Sequence, residues 1–60
     1  MTQELLKSEG WLGDVAILEQ AQECYQVEAY WRPAELRRTL IETHDLALAK
    51  VVYLRTLENL

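Results

Sequence analysis

The stretch HDLALAKVVYL, residues 44–54, constrains this chain more than any other part of it. After His44 and Asp45 its one strongly polar side chain is Lys50. At about 100° per residue, a helix through this region has two apolar sides. Leu36, Leu40, His44, Ala47, Val51 and Leu54 form one stripe, widened by Ile41, Leu48 and Val52. Leu46, Ala49, Tyr53, Leu57 and Leu60 form a second, roughly opposite. A soluble chain avoids leaving an apolar patch of that size in water, so both sides need cover.

Sixty residues offer little cover. A domain this small buries only about 60 % of the surface its unfolded chain exposes. Small domains compensate with disulfides, a metal or a partner. Cys24 is the single cysteine and His44 the single histidine, so neither an intrachain disulfide nor a closed zinc site can form. Oligomerisation or a partner chain remains as the expected source of extra stability.

The rest of the chain reads as helical. Residues 2–9, TQELLKSE, suit a short helix with Thr2 as N-cap. GWLG, residues 10–13, reads as a turn whose Trp11 and Leu12 dock on the core. Asp14 is a good N-cap for a helix over 14–31, with Ile17, Leu18, Ala21, Cys24, Tyr25 and Trp31 on its apolar side. Pro33 breaks that pattern and suits the first turn of a second helix, over 33–58. The short link makes the two helices antiparallel neighbours, and residues whose numbers sum to about 68 should lie level. The expected fold is a single all-α domain over 1–60: a short N-terminal helix and an antiparallel helical hairpin. Two hairpins then pair into a four-helix bundle. The homodimer would form through Leu46, Ala49, Tyr53, Leu57 and Leu60.

Charge bears on partners. The net charge is −4. Residues 1–31 carry six acids against Lys7, whereas 32–60 carry five cations against four acids. An acidic first half repels a phosphate backbone. The chain begins with no basic stretch and long apolar core of the signal-peptide kind, and no run approaches the ~20 apolar residues that span a bilayer. A cytoplasmic protein with no membrane contact is the expectation.

Candidate chemistry is sparse. Cys24 and His44 fall at similar height in the hairpin, but no oxyanion hole accompanies them, and a packed thiol and imidazole is the simpler reading. Glu19 and Glu23 stand four apart on the polar side, without the Glu-x-x-His element of a bundle metal site. No phosphate-binding loop or nucleophile elbow occurs. No cofactor and no enzymatic activity are expected. In size and hairpin plan the chain resembles the small plasmid RNA-regulating four-helix-bundle proteins of the Rop type. That resemblance is architectural and aligns no functional residue. The sequence thus points to a small acidic adaptor or inhibitor, of the kind phages and plasmids carry, docking on a larger protein. Its expected contact surface is Glu19, Glu23, Gln26 and Trp31. The alternative is a dimeric nucleic-acid-binding regulator using Arg32, Arg37 and Arg38.

Overall fold

The computed structural model describes residues 2–59 and overturns the all-α reading. Four strands, β1 (Gln3–Glu9), β2 (Gly13–Ala21), β3 (Cys24–Trp31) and β4 (Leu36–Thr43), precede a single helix, α1 (Leu46–Glu58). The strands form one antiparallel sheet in the order β1-β2-β3-β4. The described residues form no helical hairpin, and so no half of a four-helix bundle. The helices expected over 2–9 and 14–31 are strands, and only the second half of that expected over 33–58 is helical. The architectural resemblance to the Rop type falls with them.

The physical reason lies in the period. From Gly13 to Ile17 every second residue is buried. Val15 and Ile17 on β2 and Val27 on β3 are fully buried. Ile17 pairs with Val27, and Val15 with Ala29. In a strand, alternate side chains share a face, so Val15, Ile17 and Val27 make one apolar patch. Branched and aromatic residues such as Val15, Ile17, Tyr25, Val27 and Tyr30 favour such pleated surfaces. Of the helix formers between them, Ala16, Gln26 and Glu28 lie on the other face and Gln22 and Glu23 in the turn, while Ala29 shares the buried face opposite Val15.

The chain does reverse around Pro33, as a β-hairpin. Residues summing to 68 face one another: Tyr25 with Thr43, Gln26 with Glu42, Val27 with Ile41. Leu40 is then an extra residue, a bulge, and the register shifts by one to Glu28 with Thr39. A second bulge, at Leu5, interrupts β1. Both edge strands are therefore bulged, and both carry cations, Lys7 on β1 and Arg37 and Arg38 on β4.

Helix α1 starts at Asp45, whose carboxylate accepts from the Ala47 and Leu48 N–H groups at 3.0 and 3.3 Å. It lies against one face of the sheet and buries Ala49 and Tyr53. Leu46, Val52 and Leu57 pack beside them, with Leu5, Tyr25 and Ile41 from the sheet. The Tyr53 hydroxyl meets the Ser8 hydroxyl on β1, which satisfies a polar atom that burial would otherwise strand. The apolar stripe of Leu46, Ala49, Tyr53 and Leu57 is thus covered by the chain's own sheet. Leu60 lies outside the described residues.

Candidate functional site

One end of the sheet gathers the two tryptophans. The β1–β2 connection is GWLG, and it folds tightly because the Gly10 N–H donates to the Gly13 carbonyl at 2.8 Å. Gly13 is buried, and a Cβ there would lie 2.0 Å from the Tyr30 carbonyl oxygen. Only glycine lets β2 approach β3 this closely.

Arg32 then clamps the loop. Its backbone N–H donates to the Leu12 carbonyl at 2.9 Å. Its Nε donates to the Gly10 carbonyl at 3.3 Å, and its guanidinium pairs with the Asp14 carboxylate. The ion pair is partly exposed, so its Coulomb energy is modest. Its consequence is positional, since the clamp joins the first hairpin to the end of β3.

On this fixed loop Trp11 is 93 % exposed. The expectation that it docks on the core is reversed; the turn is where the sequence placed it, but its side chain stands in water. Leu12, also 37 % exposed, lines a cleft of about 340 Å³ with Trp11, Ser8, Glu9, Gly10 and Leu57. Trp31 pairs with Gly13 on one side and Leu36 on the other. It extends the apolar end across the sheet to a second cleft of about 190 Å³. Trp31, Leu36 and Leu40 are each between 38 and 48 % exposed there.

The other expected contact residues do not join this end. Gln26 is five residues from Trp31 along β3, about 17 Å at strand rise. Its Nε2 donates to the Thr39 hydroxyl. Glu19 and Glu23 sit at the β2–β3 turn, where the Glu19 carboxylate accepts the Glu23 backbone N–H at 3.1 Å. Beside them, partial burial pushes the Tyr25 phenol above its usual pKa, and the Glu19 and Glu23 carboxylates push it further. The expected surface thus divides between an acidic end and an aromatic end.

The three arginines divide as well. Arg32 is held by Asp14 and Gly10. Arg37 stacks over the Tyr30 ring at 5.7 Å, on the face away from α1. Arg38, its neighbour on β4, lines the cleft with Trp31 and Leu36. Adjacent strand residues point to opposite faces, so no basic patch forms from them.

Cys24 and His44 are engaged separately. The thiol lies 3.8 Å from a Glu42 carboxylate oxygen. The imidazole Nδ1 is 2.8 Å from the Glu23 carbonyl; a carbonyl only accepts, so Nδ1 carries the proton there. The thiol's partner is thus the Glu42 carboxylate and not the imidazole. Among the described residues no group of three or more His, Cys, Asp or Glu side chains could hold a metal. Among the described residues no helix is long and apolar enough to cross a membrane.

Trp11 was visible in the sequence as a tryptophan between two glycines, but whether a turn residue faces the core or the solvent depends on how the hairpin is seated. No family model matches the chain, and no curated protein or solved structure matches it.

Proposed function

We propose that the protein is a non-enzymatic interaction module that docks on a larger protein through the tryptophan-bearing end of its sheet. The observation that carries this reading is Trp11, 93 % exposed on a loop fixed from both sides. Burying one large apolar side chain is worth about 1.5–3 kcal/mol, and an aromatic anchor in a partner's pocket is the commonest form of binding hot spot. Arg32 and the Gly10–Gly13 hydrogen bond hold the loop before binding, which lowers the ordering cost of association. Leu12 and Leu57 beside Trp11 supply apolar surround. The net charge of −4 and the divided arginines disfavour nucleic acid as the partner.

The test is capture from nuclease-treated native lysate on immobilised wild-type protein and on Trp11→Ala. The side chain is 93 % exposed, so the variant should melt within about 4 °C of wild type. A protein retained by wild type and lost from the variant supports the reading. Identical retention by both, or binding that disappears with nuclease alone, overturns it.

A further inference from the structure

Helix α1 covers one face of the sheet, and the described residues put nothing on the other. Cross-strand partners share a face, so the registers lay the open face out row by row. Glu9, Asp14, Tyr30 and Arg37 form one row. Lys7, Ala16, Glu28 and Thr39 form the next, and Glu4, Leu18, Gln26 and Glu42 the third. Five of these side chains are acids and two are cations, so the face carries −3 of the chain's net −4.

The cations here are already engaged. Lys7 pairs with Glu9 at 3.5 Å, and Arg37 lies over the Tyr30 ring. Arg32 reaches in from the turn after β3 to Asp14; with it the balance is still −2. Among the described residues Glu4, Glu28 and Glu42 are left without a cation.

The face also has a shape. Ala16 is short, and a hollow of about 110 Å³ opens beside it, flanked by half-buried Leu18 and Tyr30. Glu28 stands across from Ala16 on β3 and lines the same hollow. Small-molecule pockets run to ~300–1,000 Å³, so this one suits a single side chain. A long basic side chain answers both features, because its alkyl stem covers apolar surface while its charged head reaches a carboxylate.

We infer that the open face of the sheet docks a basic segment of a protein partner. One lysine or arginine stem lies over Ala16 and Leu18, with its head on Glu28. Nucleic acid, or a second copy presenting this face, would bring like charge to Glu4, Glu28 and Glu42 and is repelled. The surface lies on the side of the sheet away from α1, whereas the Trp11 cleft includes Leu57 of that helix. The inference does not rest on the proposed function.

The test is amide NMR of the isotope-labelled chain, titrated with a capped Ala-Arg-Leu-Arg-Ala peptide and with its glutamine counterpart. The arginine peptide should shift the amides of Ala16, Leu18 and Glu28 with a dissociation constant of about 1 mM, the scale of a few contacts. The glutamine peptide should not shift them. Glu28→Gln should weaken binding about threefold, the scale of one partly exposed ion pair. Glu58→Gln removes the same charge from α1 and should leave binding unchanged. Raising sodium chloride from about 50 to about 500 mM should weaken binding to the wild-type chain, a reading that stands even if Glu28→Gln fails to fold. Absence of shifts at about 10 mM peptide overturns the inference, since that is well above the expected constant. So do shifts centred on Glu19 and Glu23, equal shifts from the glutamine peptide, equal weakening by Glu58→Gln, or binding indifferent to salt.

Discussion

At the scale of the residue, two turns rest on glutamates in a conformation that favours glycine. Glu23 has φ 57° and Glu35 has φ 50°. A side chain in the left-handed region costs roughly 1–2 kcal/mol, offset in part by the freedom glycine would add to the unfolded chain. Glu23→Gly and Glu35→Gly should each raise stability by about 0.5–1 kcal/mol, read as a rise of a few degrees in the thermal midpoint. Both substitutions keep the backbone groups in use, the Glu23 carbonyl that accepts from His44 and the Glu35 N–H that donates to the Arg32 carbonyl. The opposite holds at Gly13. Gly13→Ala would drive a methyl into the Tyr30 carbonyl, and forcing strands apart there should cost at least about 2 kcal/mol. Chemical denaturation should show a clear loss of midpoint, and an unchanged midpoint would mean the two backbones are farther apart than described.

Elements differ in what held them together. α1 is short, and isolated helices under about 12–15 residues are marginal in water; it persists because Asp45 caps it and Ala49 and Tyr53 bury on the sheet. Asp45→Ala frees two N–H groups and should cost about 1 kcal/mol. A fall of several degrees in the melting temperature, with the strand signal melting together with the helix signal, is the expected result; separate transitions would contradict a single cooperative unit. The strands were harder to recognise. Residues 14–31 contain many helix formers and satisfy a 100° period as well as a 180° one. Val15, Ile17 and Val27 carried the strand signal, and the β2–β3 turn at Gln22 and Glu23 lacks the glycine or asparagine that announces a hairpin. By contrast Pro33 and the GWLG turn announced their reversals, since each residue type restricts or frees the backbone whatever surrounds it.

For the whole molecule, the sheet and helix bring Tyr25 next to Glu19 across the strand pair and Glu23 from the turn. Partial burial, with these two carboxylates second, raises the phenol above its ordinary pKa of 10.0. The folded chain therefore holds that proton more tightly than the unfolded one. Its contribution to stability is complete below about pH 10 and is lost as the pH climbs through the folded value. Urea midpoints measured at pH 8 and pH 11 should fall further for wild type than for Tyr25→Phe; equal falls would show that Tyr25 does not titrate differently on folding. The aromatic end has the same origin. Trp11 is twenty residues from Trp31, and only the strand order β1-β2-β3-β4 sets it at the same end of the sheet as Trp31 and Leu36.

What the sequence determined by itself was local and compositional: the acidic balance, the reversals at Gly10–Gly13 and Pro33, and a C-terminal segment apolar on two sides. These follow from single residues or from a count of side chains. Tertiary structure decided the identity of the first four elements and which side of the helix is covered. A strand has no internal hydrogen bonds to favour it, so its backbone is settled by pairing with residues elsewhere in the chain. The same pairing built the face that took up Ala49 and Tyr53 and left Leu48, Val51 and Leu54 outside.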